Sequence, residues 1–250
     1  MNDFLNPAKW LSGLALMAAL AIFPLHAQDS MMEATPAAST YQPHYLTTGE
    51  PQPLTLLAPP PLPDSPEQAA ELAEVETVCH SAPSNDVAVA FSEKKFSIFT
   101  FTPAIGDFLQ PGKFPKTEEF FHKVQKDAAS VTDGAKDFWK RPRPYVVDPT
   151  LLAGKPEKSF SYPSGHSTES MVLALVLADL FPDKHDAIIA IARNIGWHRV
   201  EIARHYPSDI YAGRVLAQAI VREMKKNPNF QHDFAESKSE LASALTAVKN

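Results

Sequence analysis

The chain has 250 residues, enough for one domain of ordinary size to bury a core without disulfide or metal staples. With 23 Lys and Arg against 29 Asp and Glu, the net charge is -6, which excludes a nucleic-acid-coating protein or a polybasic membrane binder and makes any anion site a local cluster. The single cysteine, Cys79, excludes an internal disulfide framework, a four-cysteine zinc site and a CxxC pair. None of the nine glycines falls in a GxGxxG or GxxxxGKS arrangement.

In chain order, Lys9 precedes an apolar run from Trp10 to Leu25 that ends in Leu25-His26-Ala27, the pattern of a secretory signal cut near Ala27. The run is shorter than the ~20 residues needed to span a bilayer, and no later run of such length occurs. Residues 1–27 are therefore read as a signal peptide, and the mature protein as periplasmic or secreted with no stable membrane insertion. Nine prolines then fall between Pro36 and Pro66. That density favours extended polyproline segments, so residues 28–64 are read as a spacer or a strap lying on the domain.

Ser65-Pro66-Glu67-Gln68 combines an N-cap serine, a proline at the first helical position and a glutamine at the third, a capping-box start. Apolar residues then recur at spacings of three and four in Leu72-Val75-Val78, Phe120-Phe121-Val124, the stretch Met171 to Leu180, Ile188-Ile191-Ile195 and Ile210 to Val221, with no sustained strand alternation. Asp183 and Ser208 are candidate N-caps, and Ala235, Leu241 and Leu245 mark a last amphipathic helix. The pattern predicts a single compact all-α domain over 65–250. Cys79, between Val78 and His80, reads as a buried small apolar residue, with an intermolecular disulfide in an oxidising compartment as the alternative.

Three clusters carry chemistry. In the first, Lys136 to Pro144, four cations fall in nine residues at the end of a helix; Lys136 and Lys140 are expected to face the same way. Pro142 and Pro144 fix the backbone around Arg143, whose guanidinium could hold an oxyanion bidentately; a solvated charged turn is the alternative. The second is Tyr162-Pro163-Ser164-Gly165-His166-Ser167 entering an apolar helix. Free N–H groups and the positive helix end there favour an oxyanion, and glycine permits close approach. Alternatively, Ser164 or Ser167 is an ordinary N-cap and His166 a first-turn surface residue. The third runs from His198 to Asp209. Arg199 and His205 would lie about 120° apart on an unbroken helix, so they converge only if the helix ends between them. Asp209, at the start of the next helix, can then accept a hydrogen bond from one ring nitrogen of His205 and leave the other free as a nucleophile. A His–Asp capping pair without chemistry is the other reading.

Together, Lys136, six residues, Arg143-Pro144; Pro163-Ser164-Gly165-His166; and Arg199, five residues, His205, three residues, Asp209 resemble the tripartite signature of the type 2 phosphatidic acid phosphatase (PAP2) superfamily. Within it the length, the leader, "SYPSGHS" and "HYPSDIYAGR" look most like the soluble bacterial class A non-specific acid phosphatases. The resemblance implies an all-helical core in which Lys136, Arg143, Arg199, Ser164 and the Gly165 amide bind the phosphoryl oxygens of small phosphate monoesters. It also implies that His205 forms a phosphohistidine, Asp209 orients it and His166 protonates the leaving group. Three cations and helix-terminal amides suit a phosphoryl transition state without a metal or other cofactor. One position departs: the family pattern has Ser before the third arginine, and this sequence has His198. A vanadium-dependent haloperoxidase would present nearly the same pocket in a longer chain, and a non-catalytic phosphate-binding member would keep the cations without turnover. The sequence leaves the physiological ester and any homo-oligomer open.

Overall fold

The structure, a computed structural model, describes residues 41–248, with side chains to residue 244. These fall in the second of two compact units, Pro36–Asn250. The first unit, Met1–Thr35, and with it the predicted signal peptide, lies outside the described residues.

The longer helices are α1 (Pro66–Ser81), α2 (Ser84–Ser92), α3 (Pro115–Trp139), α4 (Gly165–Leu180), α5 (His185–Glu201), α6 (Pro207–Met224) and α7 (Pro228–Val248). One-turn helices and 3-10 turns join them, and no strand occurs among the described residues. The chain is all-α.

Helix α4 is the centre. It is apolar on nearly every side, with Met171, Val172, Leu173, Ala174, Val176 and Leu177 all buried, as expected of a helix surrounded by others. It packs chiefly on α5 and α6 and then on α3, which in turn carries α7. Two glycines allow the closest approach. A Cβ on Gly213 would stand 2.9 Å from the Ser164 carbonyl oxygen, and one on Gly196 would stand 3.2 Å from Ser167 Oγ. The N-terminal turn of α4 is thereby wedged between α5 and α6. A smaller apolar cluster of Val75, Tyr145, Leu151, Val200, Ala203, Tyr206 and Ile210 ties α1 to the α5–α6 turn, each large side chain contributing roughly 1.5–3 kcal/mol by its burial.

The segment before α1 joins the main core. Tyr45, Leu46 and Leu57 are buried there, and Tyr45 meets Phe120 and Phe230 ring to ring. Asp127 of α3 accepts hydrogen bonds from Tyr41 Oη and from the amides of His44 and Tyr45.

Several local expectations change. Ser65 does cap α1, accepting from the Gln68 amide, but the Gln68 side chain turns to Arg141 instead of closing a capping box. Proline takes the first helical position of α6, which makes Tyr206 the N-cap and places Ser208 inside the first turn. Asp183 likewise lies within the 3-10 turn Pro182–Lys184, and Lys184 precedes α5. Helix α3 stops at Trp139, with Lys140 left-handed at φ 48°. Lys136 is consequently buried while Lys140 is exposed, and the two do not share a face.

Candidate active site

The site forms where four chain segments meet: the end of α3, the start of α4, the α5–α6 turn and the residues just after α2. The turn is decisive. The Ala203 amide donates to Val200 O (2.9 Å) and the Arg204 amide to Arg199 O (2.8 Å), the paired bonds of a Schellman ending, with Ala203 at φ 52° where glycine is usual. The His205 amide also donates to Arg199 O, at 3.2 Å. The helix therefore ends between Arg199 and His205, and its last turn folds back to bring them together.

Asp209, at the third position of α6 and fully buried, fixes His205. Its Oδ2 accepts from the Tyr206 amide (2.9 Å), from Ser161 Oγ (2.5 Å) and from His205 Nδ1 (3.2 Å). Oδ1 accepts from Arg141 Nη1 at 2.6 Å. Burial alone would raise the Asp209 pKa, but these bonds and the Arg141 charge hold it far below the usual carboxylate range. With Nδ1 donating to Asp209, the tautomer assigned by its partners leaves a lone pair on His205 Nε2, 3.1 Å from Arg143 Nη1. Burial, and then the charges of Arg143 and Lys136, depress the His205 pKa well below 6.5 and so favour the neutral imidazole.

The cations are buried and anchored by carbonyl oxygens. Lys136 Nζ donates to Phe160 O at 2.6 Å, and burial brings its pKa down to about 8. Arg143 donates to Ser159 O and Arg204 O at 2.8 and 2.9 Å. Arg199 donates to Ala90 O, while its Nε is buried with no hydrogen-bond partner; burial lowers its pKa to about 10. An unsatisfied buried guanidinium nitrogen is a natural docking point for an anion.

Ser164 caps α4, accepting from the Ser167 amide, while its own amide donates to Asp209 O. The Gly165 and His166 amides that follow lie at the first two helical positions and have no intrahelical acceptor. These two residues are partly exposed, whereas Lys136, Arg143, Ser164, Arg199, His205 and Asp209 are all buried. His166 lies against Phe96, ring centroids 5.5 Å apart, with Nε2 3.2 Å from Glu93 O. Burial and the charges of Arg199, Arg143 and Lys136 bring its pKa down to about 3. All eight sequence-predicted residues therefore gather at one place. A groove of about 370 Å³ lined by Leu175, His185, Gln218 and Arg222, toward the C-terminal end of α4, contains none of them.

Four neighbours of these residues escaped the sequence reading. Arg141 and Ser161 brace Asp209; Glu93 contacts His166, His198 and Arg199; and burial lifts Glu169, bonded to Gln125, to about 7. Their signal in sequence was weak, although Arg141 sat inside the first basic cluster. The sequence suggested no His, Asp, Glu or Cys cluster with metal-ligand spacing, yet among the described residues His232, Asp233 and Glu236 bring ligand atoms within 4.8 Å of one another. Asp233 there already accepts from Tyr45 and Lys123.

The sequence model of the PAP2 superfamily matches residues 128–232, the stretch that holds all eight residues. Over that stretch the chain is similar to the PAP2 superfamily. Among PAP2 and related proteins, it is similar to an acid phosphatase of Zymomonas mobilis, 28% identical over 225 residues, covering 86% of this chain and 83% of the relative. It is also similar to a non-specific acid phosphatase of Providencia stuartii, 30% identical over 148 residues, covering 57% of this chain and 60% of that relative. A solved transmembrane PAP2 type phosphatidylglycerolphosphate phosphatase from Bacillus subtilis aligns with a TM-score of 0.45 and 20% identity, over 64% of this chain and 84% of that one. Among the described residues, no helix is long and apolar enough to cross a membrane.

Proposed function

We propose that this protein is an exported acid phosphatase of the PAP2 superfamily that hydrolyses phosphate monoesters through a phosphohistidine on His205. The observation that carries the reading is the imidazole of His205, fixed through Nδ1 by ionised Asp209 with Nε2 among the cations Arg143 and Lys136. The named acid phosphatases of Zymomonas and Providencia support the substrate class, and the leader at residues 1–27 supports export.

Arg143 turns its Nη1 donor from Nε2 to a phosphoryl oxygen as substrate arrives, which frees the lone pair. Lys136, Arg199 and the Gly165 amide take the remaining charge, and Ser164 holds the α4 turn that presents the amide. Nε2 attacks phosphorus, the bond to the ester oxygen breaks, and His166 gives that oxygen a proton. The negative substrate counters the charges of Arg199, Arg143 and Lys136 and so favours a proton on His166 against the larger effect of its burial. Water then attacks phosphorus and gives a proton to His166 as the phosphorus–nitrogen bond breaks; phosphate leaves, His166 releases its proton to solvent, and both rings return to their starting states.

Acid phosphatase assays in EDTA should show full turnover, and rapid quenching during turnover of a radiolabelled ester should leave an acid-labile, base-stable phosphoryl group on the peptide containing His205. Turnover that requires an added divalent ion, or label on a serine, would refute the mechanism.

A further inference from the structure

Glu93, the first residue after α2, touches three elements of the site. Its Oε2 accepts from His198 Nδ1 at 2.8 Å and lies 3.6 Å from Arg199 Nη2. Its own carbonyl oxygen meets His166 Nε2. The carboxylate is almost buried, with 10% of the side chain accessible. The histidine that replaces the family's serine is therefore joined, through one carboxylate, to the arginine behind it.

We propose that Glu93 is a positioning residue for the reaction above: its carboxylate competes with the phosphoryl group for Arg199, and protonated His198 relieves that competition. The inference rests on Arg199 being a phosphate ligand. A carboxylate beside a phosphate-binding guanidinium costs affinity twice, by holding the donor and by repelling a dianion, and a positive imidazolium on its other side offsets both. The bond from Glu93 holds the His198 pKa above its ordinary value, so the relief outlasts that of an unpaired imidazole as pH rises and is lost once His198 gives up its proton. The other charges facing the pair are Arg199 and Glu201 of α5 and, around them, Asp86, Glu157 and Arg204; His166 faces it from α4. Of these, only His198 and His166 have ordinary pKa values near neutrality, and His166 is neutral in the free protein.

Two readouts test this on the full chain. KM for nitrophenyl phosphate should rise about tenfold from pH 5.5 to pH 8 in the native protein, and Glu93→Gln should flatten that rise, with the effect on KM larger than on kcat. His198→Ser should bring the high KM down to pH 5.5, and the double variant should reverse that loss. The second readout needs no turnover: beyond the change that phosphate's own ionisation imposes on every variant, the thermal upshift given by inorganic phosphate should shrink with pH in the native protein, be small at both ends of the range in His198→Ser, and lose its pH dependence in Glu93→Gln. An unchanged pH profile of KM and of the phosphate upshift in Glu93→Gln would overturn the proposal. Should Glu93→Gln prove too unstable, Glu93→Asp, which retains the charge, must retain the pH dependence; its loss there would also count against the gate. Absent turnover in every variant, with the phosphate upshift still governed by Glu93, would overturn the phosphatase reading and leave this one standing.

Discussion

Arg141 is the most consequential residue outside the eight predicted site residues. It is 3% exposed and donates to Asp209 Oδ1 (2.6 Å), Ser208 Oγ (2.8 Å), Glu71 Oε2 (2.6 Å) and Gln68 Oε1 (2.7 Å). Its guanidinium also covers the Tyr206 ring at 3.9 Å. Methionine at this position keeps most of the length and apolar contact but leaves Asp209 buried with one cation fewer. Breaking a buried ion pair from one side costs about 3–5 kcal/mol, because the surviving charge keeps its desolvation penalty. With a urea slope of about 2 kcal/mol/M, Arg141→Met should lower the unfolding midpoint by about 1.5–2.5 M. The loss should be greatest at neutral pH and shrink in acid, where Asp209, released from Arg141, can take up a proton. Arg141→Met combined with Asp209→Asn should be far less destabilised than the two single losses added, with a coupling of about 2 kcal/mol or more. A single-variant loss below about 1 kcal/mol, or additive losses in the pair, would refute the view that Arg141 compensates the Asp209 charge.

Three further outcomes follow from the same geometry. His205→Ala should abolish turnover on every ester, whereas His166→Ala should cost roughly 100- to 10,000-fold on an alkyl phosphate and much less on nitrophenyl phosphate; parallel kinetics on the two esters separate the roles, and equal losses in His166→Ala would misplace the acid. Both histidines have folded pKa values below the unfolded value, so the unfolded chain binds more protons in acid, and their stabilisation is complete above about pH 6.5 and lost as pH falls. Urea midpoints between pH 7 and 4 should therefore decline, and His166→Gln should flatten the decline by up to about 1.4 kcal/mol per pH unit. Ser161→Ala removes the 2.5 Å bond to Asp209 Oδ2 and should cost about 1–3 kcal/mol in stability with a fall in kcat; a wild-type kcat would show that the other three donors suffice to orient Asp209.

The helices were legible because their apolar faces repeat at three and four, as in Phe120, Phe121 and Val124 of α3. The eight site residues were legible because each sits at a helix end or turn marked by proline, serine or glycine. Cap positions were misread where proline enters the first turn: with Pro207 and Pro182 at the first position, the caps fall at Tyr206 and Phe181, two residues back from where Ser208 and Asp183 suggest them. Lys140 was placed on the Lys136 face because no glycine announced the end of α3, and a left-handed lysine supplies that ending instead. Glu93 and Arg141 were missed for a different reason. Their partners are distant in sequence: His198 lies 105 residues from Glu93 and Asp209 lies 68 from Arg141. A pairing of that range leaves no local pattern.

Asp127 sets a limit on how the polypeptide can be trimmed. It is 0% exposed, and its carboxylate oxygens accept from Tyr41 Oη and the amides of His44 and Tyr45, some 80 positions earlier in the chain. A protein begun at Ser65, where the first long helix starts, would strip a charge in the middle of α3 of these partners and uncover the aromatic ring face of Phe120. Recombinant versions intended for crystallography or display therefore need their start upstream of Tyr41, and a tag fused directly at Ser65 should yield insoluble material. The same reasoning makes a protease cut between Tyr45 and Leu57 a slow route to inactivation, since the severed piece can stay bound through its side chains until α3 opens.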